Sequence, residues 1–127
     1  MEASKDMDRV IDVLMLAGTL LLESGSEIHR VEDTMIRIAH SQGIDDCNAL
    51  AMPVAIFFSI ENANITRMKR ILRTNYNIEK VCDVNQISRQ LVSGHINLEQ
   101  AYQALIQLKQ KSVPYTNLQL TIAATLS

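Results

Sequence analysis

An apolar run from Ala49 to Ile60 interrupts a chain whose other apolar residues recur mostly at helical spacing. The run is rich in Val, Ile and Phe and is shorter than the roughly 20 residues of a membrane-spanning helix, so it predicts a β-strand. Pro53 places this strand at a sheet edge or a bulge. ENAN at 61–64 is typical of a turn, and ITRMKRILR after it alternates basic and apolar side chains. Together these segments predict one β-hairpin.

Helical patterns precede the hairpin. Residues 7–24 and 27–42 each carry an apolar stripe with polar residues elsewhere on the wheel, which predicts two amphipathic helices. Gly25 can end the first helix in a left-handed conformation, and Ser24 with Glu27 has the spacing of a capping box that starts the second. We therefore expect a tight helix-helix corner, with one helix kinked at Gly25 as the alternative.

Two more helices are predicted after the hairpin. The first closes at Gly94, and Asn97 with Gln100 has capping-box spacing and opens the second. Their apolar stripes are Val81, Val84, Ile87 and Leu91 in the first, and Ala101, Leu105 and Leu108 in the second. The fold class is α+β, mainly helical, with one β-hairpin packed against amphipathic helices.

The carboxyl-terminal residues have a different character. After Pro114 the chain reads YTNLQLTIAATLS, which gains apolar residues without a Gly, Lys or Arg cap to end a helix. We therefore divide the chain into a domain at 1–115 and the start of a truncated first membrane helix at 116–127.

Composition argues against several function classes. A chain of 127 residues accommodates one domain, and a net charge of -2 with no Trp, two Phe and three Tyr argues against nucleic-acid binding. Cys47 and Cys82 lack CxxC spacing and a nearby His pair, so we expect free thiols and neither a metal site nor a cofactor. The acidic, polar start does not resemble a signal peptide.

The densest polar cluster, residues 24–37, permits a catalytic interpretation. Ser26, His29 and Asp33 could act as nucleophile, base and orienting acid, which would make the protein a small α+β hydrolase. A nucleophile elbow such as GxSxG is not present, and a solvated helix face explains these residues better. His29 and His40 are eleven positions apart, too distant to share one metal ion.

Glu27, Arg30 and Arg37 flank the apolar stripe of the second helix and have two interpretations. Arg30 can pair with Glu27, and Arg37 with Asp33, as ordinary helix ion pairs. Alternatively, two guanidinium groups on one face form a site for a carboxylate.

A basic stripe, Arg67, Lys69, Arg70 and Arg73, also has two interpretations. The side chains either protect a sheet edge from aggregation or approach an anionic membrane surface.

The motif formed by Gly25, Glu27, Arg30, Val31, Glu32 and Arg37 reads G-x-E-x-x-R-V-E-x-x-x-x-R. It resembles the signature of the ThrE family of threonine/serine exporters and of the shorter YjjP-type proteins that work with a YjjB-type partner. The segment AMPVAIFFSI resembles the strand that follows this motif in the family. The region from Gly94 to Tyr115 resembles the segment that precedes the first membrane helix of the family.

The resemblance implies a non-enzymatic amino-terminal domain on the cytoplasmic side of the cell membrane, in a secondary transporter. Its substrates would be small carboxylate-bearing metabolites, threonine and serine or succinate. The partners would be the membrane half of the same chain or a YjjB-type subunit, with a homo-oligomer also open and no nucleic acid. Glu27, Arg30, Glu32 and Arg37 become candidates for substrate binding or gating, and we expect Glu27, Glu32 or a backbone carbonyl to hold Arg30.

Overall fold

The computed structural model describes residues 2–111, with side chains from residue 6 onward, and confirms the α+β class. Four helices and three strands follow one another in this part of the chain. They are α1 (Glu2–Glu23), α2 (Ile28–Ser41), β1 (Cys47–Met52), β2 (Ala55–Ile60), β3 (Ile65–Arg70), α3 (Ile78–Val92) and α4 (Leu98–Gln110). The start of a membrane helix expected at 116–127, and residues 112–115 of the expected domain, lie outside the described residues.

Helix α1 is the centre of the core. Its apolar residues cover more than one stripe of the helix, so α1 can pack against several elements at once. It contacts α2, α3, α4 and β2. The residues of α1 that are buried in these contacts are Val10, Ile11, Val13, Leu14, Ala17, Leu20, Leu21 and Leu22.

A tight turn at Gly25 joins α1 to α2, as the sequence predicts. Gly25 has φ +92, its N–H donates to the Leu22 carbonyl at 3.2 Å, and the Ser26 N–H donates to the Leu21 carbonyl at 2.9 Å. This is the Schellman arrangement of a helix C-terminus. The predicted capping box is wrong, because α2 begins after Glu27 and the Glu27 side chain makes no capping hydrogen bond. A single kinked helix is also wrong.

The apolar run forms two strands, so the prediction of one strand there is wrong, and the sheet has a second hairpin beside the predicted one. β1, β2 and β3 form an antiparallel sheet in that order, and Met52 pairs with Ala55 across a turn at Pro53 and Val54. Pro53 thus lies in a turn rather than at a bulge or in an edge strand. Pro53 is a common turn residue, but Met52, Val54 and Ala55 around it are apolar and are not, so the turn was not predicted.

The second hairpin turns at ENAN, as predicted, with Asn64 at φ +51. One face of the sheet packs on the helices, and Ile56, Phe58 and Ile60 of β2 are almost completely buried there. Since side chains alternate along a strand, Leu50, Phe57 and Met68, which are partners in register, lie on the opposite face.

The last two helices form as predicted. Asn97 and Gln100 make the expected capping box at the start of α4: Asn97 Oδ1 accepts from the Gln100 N–H at 2.8 Å, and Gln100 Oε1 accepts from the Asn97 N–H at 2.9 Å. Val84 and Leu91 of α3 are buried, whereas Val81 and Ile87 are partly buried. In α4 the buried residues are the predicted Ala101, Leu105 and Leu108.

Helix α4 runs beside α1 in the same direction. Arg9 of α1 lies 3.3 Å from the carboxylate of Glu99 and 4.0 Å from the ring centroid of Tyr102, near the start of α4. Lys109 in the last turn of α4 lines a groove that also includes Glu23, the last residue of α1. Lys109 lies about 15 Å along α4 from Glu99. If α4 were antiparallel to α1, this distance would take Lys109 towards the start of α1, away from Glu23. Both helices therefore end at the same end of the domain, which we call the corner end because it holds the turn at Gly25.

None of the helices within residues 2–111 has the length and apolar character needed to cross a bilayer.

Gly25 provides a test of this corner. We expect Gly25→Ala to lower the free energy of unfolding by more than the roughly 1–2 kcal/mol of left-handed strain, because a Cβ there would overlap with Cδ1 of Tyr76. Gly43→Ala is the matched control, since Gly43 has φ +88 and open space around a Cβ. Urea denaturation measures both. In a Tyr76→Ala background, the cost of Gly25→Ala should fall to that of Gly43→Ala, and an unchanged cost would refute the ring contact.

Candidate functional site

The motif at the start of α2 divides into structural and exposed residues. Val31 is fully buried in the core. Arg37 Nε lies 2.8 Å from Asp33 Oδ2, so this predicted ion pair is confirmed, and both side chains are largely exposed. An exposed pair at this spacing contributes about 0.3–0.5 kcal/mol. Neither residue is thus needed for the fold in the way that Val31 is.

Glu32 joins α2 to the sheet. Its Oε2 accepts a hydrogen bond from the backbone N–H of Ala51 at 2.8 Å, and its side chain is 23% exposed. β1 is an edge strand, and the other side of an edge strand presents unpaired N–H groups. The Glu32 carboxylate satisfies one of them. His29 Nδ1 lies 3.8 Å from the other oxygen, Oε1.

Glu27 and Arg30 are exposed residues of the motif whose side chains make no ion pair or hydrogen bond within the described part of the chain. The expectation that Glu27, Glu32 or a backbone carbonyl holds Arg30 is wrong for the described part of the chain, where the guanidinium has neither an ion pair nor a hydrogen bond. The backbone N–H of Arg30 donates to the Glu27 carbonyl at 3.0 Å, as the first turn of a helix requires. Arg30 therefore presents a full set of guanidinium donors to solvent.

A site shared by Arg30 and Arg37 has a geometric limit. The two residues are seven positions apart on α2, so their Cα atoms are separated by about 10 Å along the helix axis. Asp33 already holds Arg37. Arg30 is consequently the stronger candidate for a carboxylate ligand. The assignment of Glu27, Arg30, Glu32 and Arg37 to substrate binding or gating remains a prediction.

The structure does not assemble the residues of the hydrolase alternative. His29 is exposed and lies beside Glu32, whereas Asp33 is paired with Arg37, so no His29–Asp33 pair forms for Ser26 to use. Among the described residues, no three His, Cys, Asp or Glu side chains are grouped closely enough to hold a metal ion.

Tyr76 and Lys80 complete the corner end, and neither residue was identified in the sequence analysis. The Asn75 N–H donates to the Glu23 carbonyl at 2.7 Å, which lays the segment before α3 along the turn at Gly25. The Tyr76 ring lies over Gly25 although 84% of the residue is exposed. Lys80 is buried in the first turn of α3, and this burial lowers the pKa of its amine against the opposing effect of Glu23. The Asn77 cap, whose side chain accepts from the Lys80 N–H at 3.0 Å, was the signal available in the sequence.

A groove of about 450 Å³ runs between α1, β3 and α4. It contains two members of the basic stripe, Arg67 and Lys69, and Arg67 lies 3.4 Å from Asp8 of α1. The stripe therefore divides: Arg67 and Lys69 face this groove, whereas Arg70 and Arg73 lie at and beyond the end of β3.

A sequence model of the ThrE family, described as "Putative threonine/serine exporter", matches residues 12–127. The chain belongs to the ThrE family. The match includes the whole motif, the sheet and all of α2, α3 and α4. A search of curated proteins and a search of solved structures found no match. ThrE exporters are transporters and membrane proteins, so family membership favours transport over the hydrolase alternative.

The tie between Glu32 and Ala51 can be tested by substitution. We expect Glu32→Ala to lower the free energy of unfolding by about 1–3 kcal/mol, because the N–H of Ala51 loses its acceptor in a partly buried position. Asp33→Ala, on the next position of the helix, removes an exposed ion pair and should cost about 0.5 kcal/mol or less. Urea denaturation of both variants decides the question. Equal losses would show that the Glu32 hydrogen bond does not stabilise the domain.

Proposed function

We propose that this chain provides the cytoplasmic domain of a ThrE exporter and that the domain acts through contacts with the membrane half. The observation that carries the proposal is the family match over residues 12–127, which includes every described element except the first ten residues of α1 and is not confined to an isolated motif. The membrane half belongs either to the same chain or to a YjjB-type partner subunit. A homo-oligomer is compatible with both arrangements.

The geometry of the corner end supports this arrangement. Helix α4 ends there, so the described part of the chain ends at this end of the domain, and the family match continues beyond it to residue 127. The turn at Gly25 and the start of α2, with Glu27 and Arg30, lie at the same end. Arg30 is therefore well placed to meet the membrane half or a substrate that passes between the two parts.

The substrate class we propose is a small molecule that bears a carboxylate, with threonine and serine first. A guanidinium binds a carboxylate through two parallel hydrogen bonds, and Arg30 has its donors unused within the described residues. Succinate, the substrate associated with YjjP-type pairs, fits the same chemistry. Export assays with each compound distinguish them.

The role of Arg30 is tested in cells that make the complete transporter and are loaded with threonine. We expect Arg30→Gln to reduce threonine export about tenfold or more, since a hydrogen-bonded charged contact is worth about 1.5–3 kcal/mol. Arg30→Lys should also reduce export, because it keeps the charge and loses the fork.

The matched control is Arg89→Gln, because Arg89 is an exposed arginine in the last turn of α3. A transporter with this substitution should export threonine normally. Thermal unfolding of each variant separates a functional loss from a folding defect. Normal export by both Arg30 variants would remove Arg30 from the site.

Labelling of the two cysteines can show on which side of the membrane the domain lies. Cys82 is exposed, whereas Cys47 is partly buried, and burial together with Asp46 and Asp45 raises the pKa of its thiol. Because the thiolate is the reactive form, a maleimide should label Cys82 much faster than Cys47 near neutral pH, and raising the pH should increase labelling of Cys47.

With a membrane-impermeant maleimide, we expect Cys82 to be labelled in inside-out vesicles and not in intact cells. Cys82→Ser should abolish the fast reaction. Fast labelling of Cys82 in intact cells would place the domain on the outer side and contradict the proposal.

A further inference from the structure

Exposed apolar side chains are concentrated on one part of the sheet. Of the eight large hydrophobic residues that are exposed in the described region, five lie on the outward face or at the end of the sheet: Leu50, Met52, Val54, Met68 and Leu72. Leu72 is 80% exposed and Val54 is 58% exposed. Such a concentration marks an interaction surface, because isolated exposed apolar residues would be scattered.

The end of the sheet is a fixed structure. The Ile71 N–H donates to the Val54 carbonyl at 2.8 Å, which holds the chain after β3 against the β1–β2 turn. Ala55 pairs with both Met52 and Arg70, so these residues lie side by side. We call Met52, Val54, Arg70, Leu72 and Arg73 the sheet tip.

The sheet tip lies at the corner end of the domain. Arg67 contacts Asp8 near the start of α1, whereas a Cβ on Gly18, further along α1, would approach Ile56, the partner of Lys69. β3 thus advances along α1 towards the turn at Gly25. Residues 71–77 continue from the sheet tip to that turn, where the Asn77 N–H donates to the Ser24 carbonyl at 3.1 Å.

Charge is separated along the sheet. Between residues 47 and 78 the acidic residue is Glu61, which lies in the β2–β3 turn at the far end of the sheet, together with Asp45 and Asp46. The sheet tip carries Arg70 and Arg73. On α2, the Glu32 carboxylate accepts a hydrogen bond from the backbone N–H of Ala51 in β1. The sheet tip is therefore apolar and basic at once.

We infer that the sheet tip rests on an anionic phospholipid surface, with Leu72, Val54 and Met52 in the interfacial layer and the two arginines on the headgroups. The inference rests on the proposed function, because the cytoplasmic leaflet supplies the anionic lipid. Aliphatic side chains flanked by arginines match this layer in both polarity and charge. A symmetric contact between two copies fits less well, because it would bring Arg70 and Arg73 of one copy near the same residues of the other.

Vesicle sedimentation with the 127-residue chain tests the inference. We expect binding to vesicles of phosphatidylglycerol and phosphatidylcholine, little binding to phosphatidylcholine alone, and release at high salt. Arg70→Gln/Arg73→Gln should weaken binding to the vesicles that contain phosphatidylglycerol about tenfold or more, and Val54→Ser/Leu72→Ser should also weaken binding to these vesicles.

Arg89→Gln/Val92→Ser is the control, since it removes one arginine and one exposed apolar residue from α3. Residues 112–127 are identical in all variants, so differences between variants report on the sheet tip. Circular dichroism confirms that each variant is folded.

Equal binding by the tip variants and the control overturns the inference. So does a result in which the tip variants keep their vesicle binding but lose association with the membrane half or with a second copy, because the occupant would then be a protein. Vesicle binding is measured without transport. Tip-dependent binding by a chain whose complete transporter exports neither amino acids nor succinate would leave the inference standing and remove the proposed substrates.

Discussion

The burial of α1 is the constraint on which the other elements depend. An amphipathic helix normally buries one stripe, but α1 has apolar residues around much of its circumference, and four other elements are needed to cover them. Helix α2 can cover its share because the chain reverses direction at Gly25 within a few residues. The sheet is then fixed against α2 by packing and by the Glu32 carboxylate, and α3 with α4 closes the remaining side.

The sequence predicted the elements with strong local signals and missed those with weak ones. The helices, the turn at 61–64 and the Asn97–Gln100 capping box form as expected, because spacing and capping chemistry act over three or four residues. The division of the apolar run at Pro53 was missed, since neither flanking residue is a turn former. The spacing of Ser24 and Glu27 fits a capping box, yet the Schellman turn already occupies the backbone there, and α2 starts later.

The candidate site was less predictable than the fold. A motif gives the identity of its residues, but the partner of Glu32 depends on how β1 packs against α2, and Ala51 is 19 residues away along the chain. The spacing at Asp33 and Arg37 predicted their ion pair because both residues belong to one helix. The contacts of Tyr76 and Lys80 with the corner arise from tertiary packing, and the local signal between them, the cap residue Asn77, indicates only where α3 begins.

The parallel arrangement of α1 and α4 has a consequence for the order of events during synthesis. Contacts between α1 and α2 and within the sheet join residues that are close in sequence, and such contacts form early. The side of α1 that faces α4 must wait until residues 98–110 have been made. Helix α1 is thus covered on this side by α4, the last helix of the described residues. Until α4 has been made, that apolar side of α1 stays exposed on the nascent chain, where it can associate with other exposed apolar surfaces.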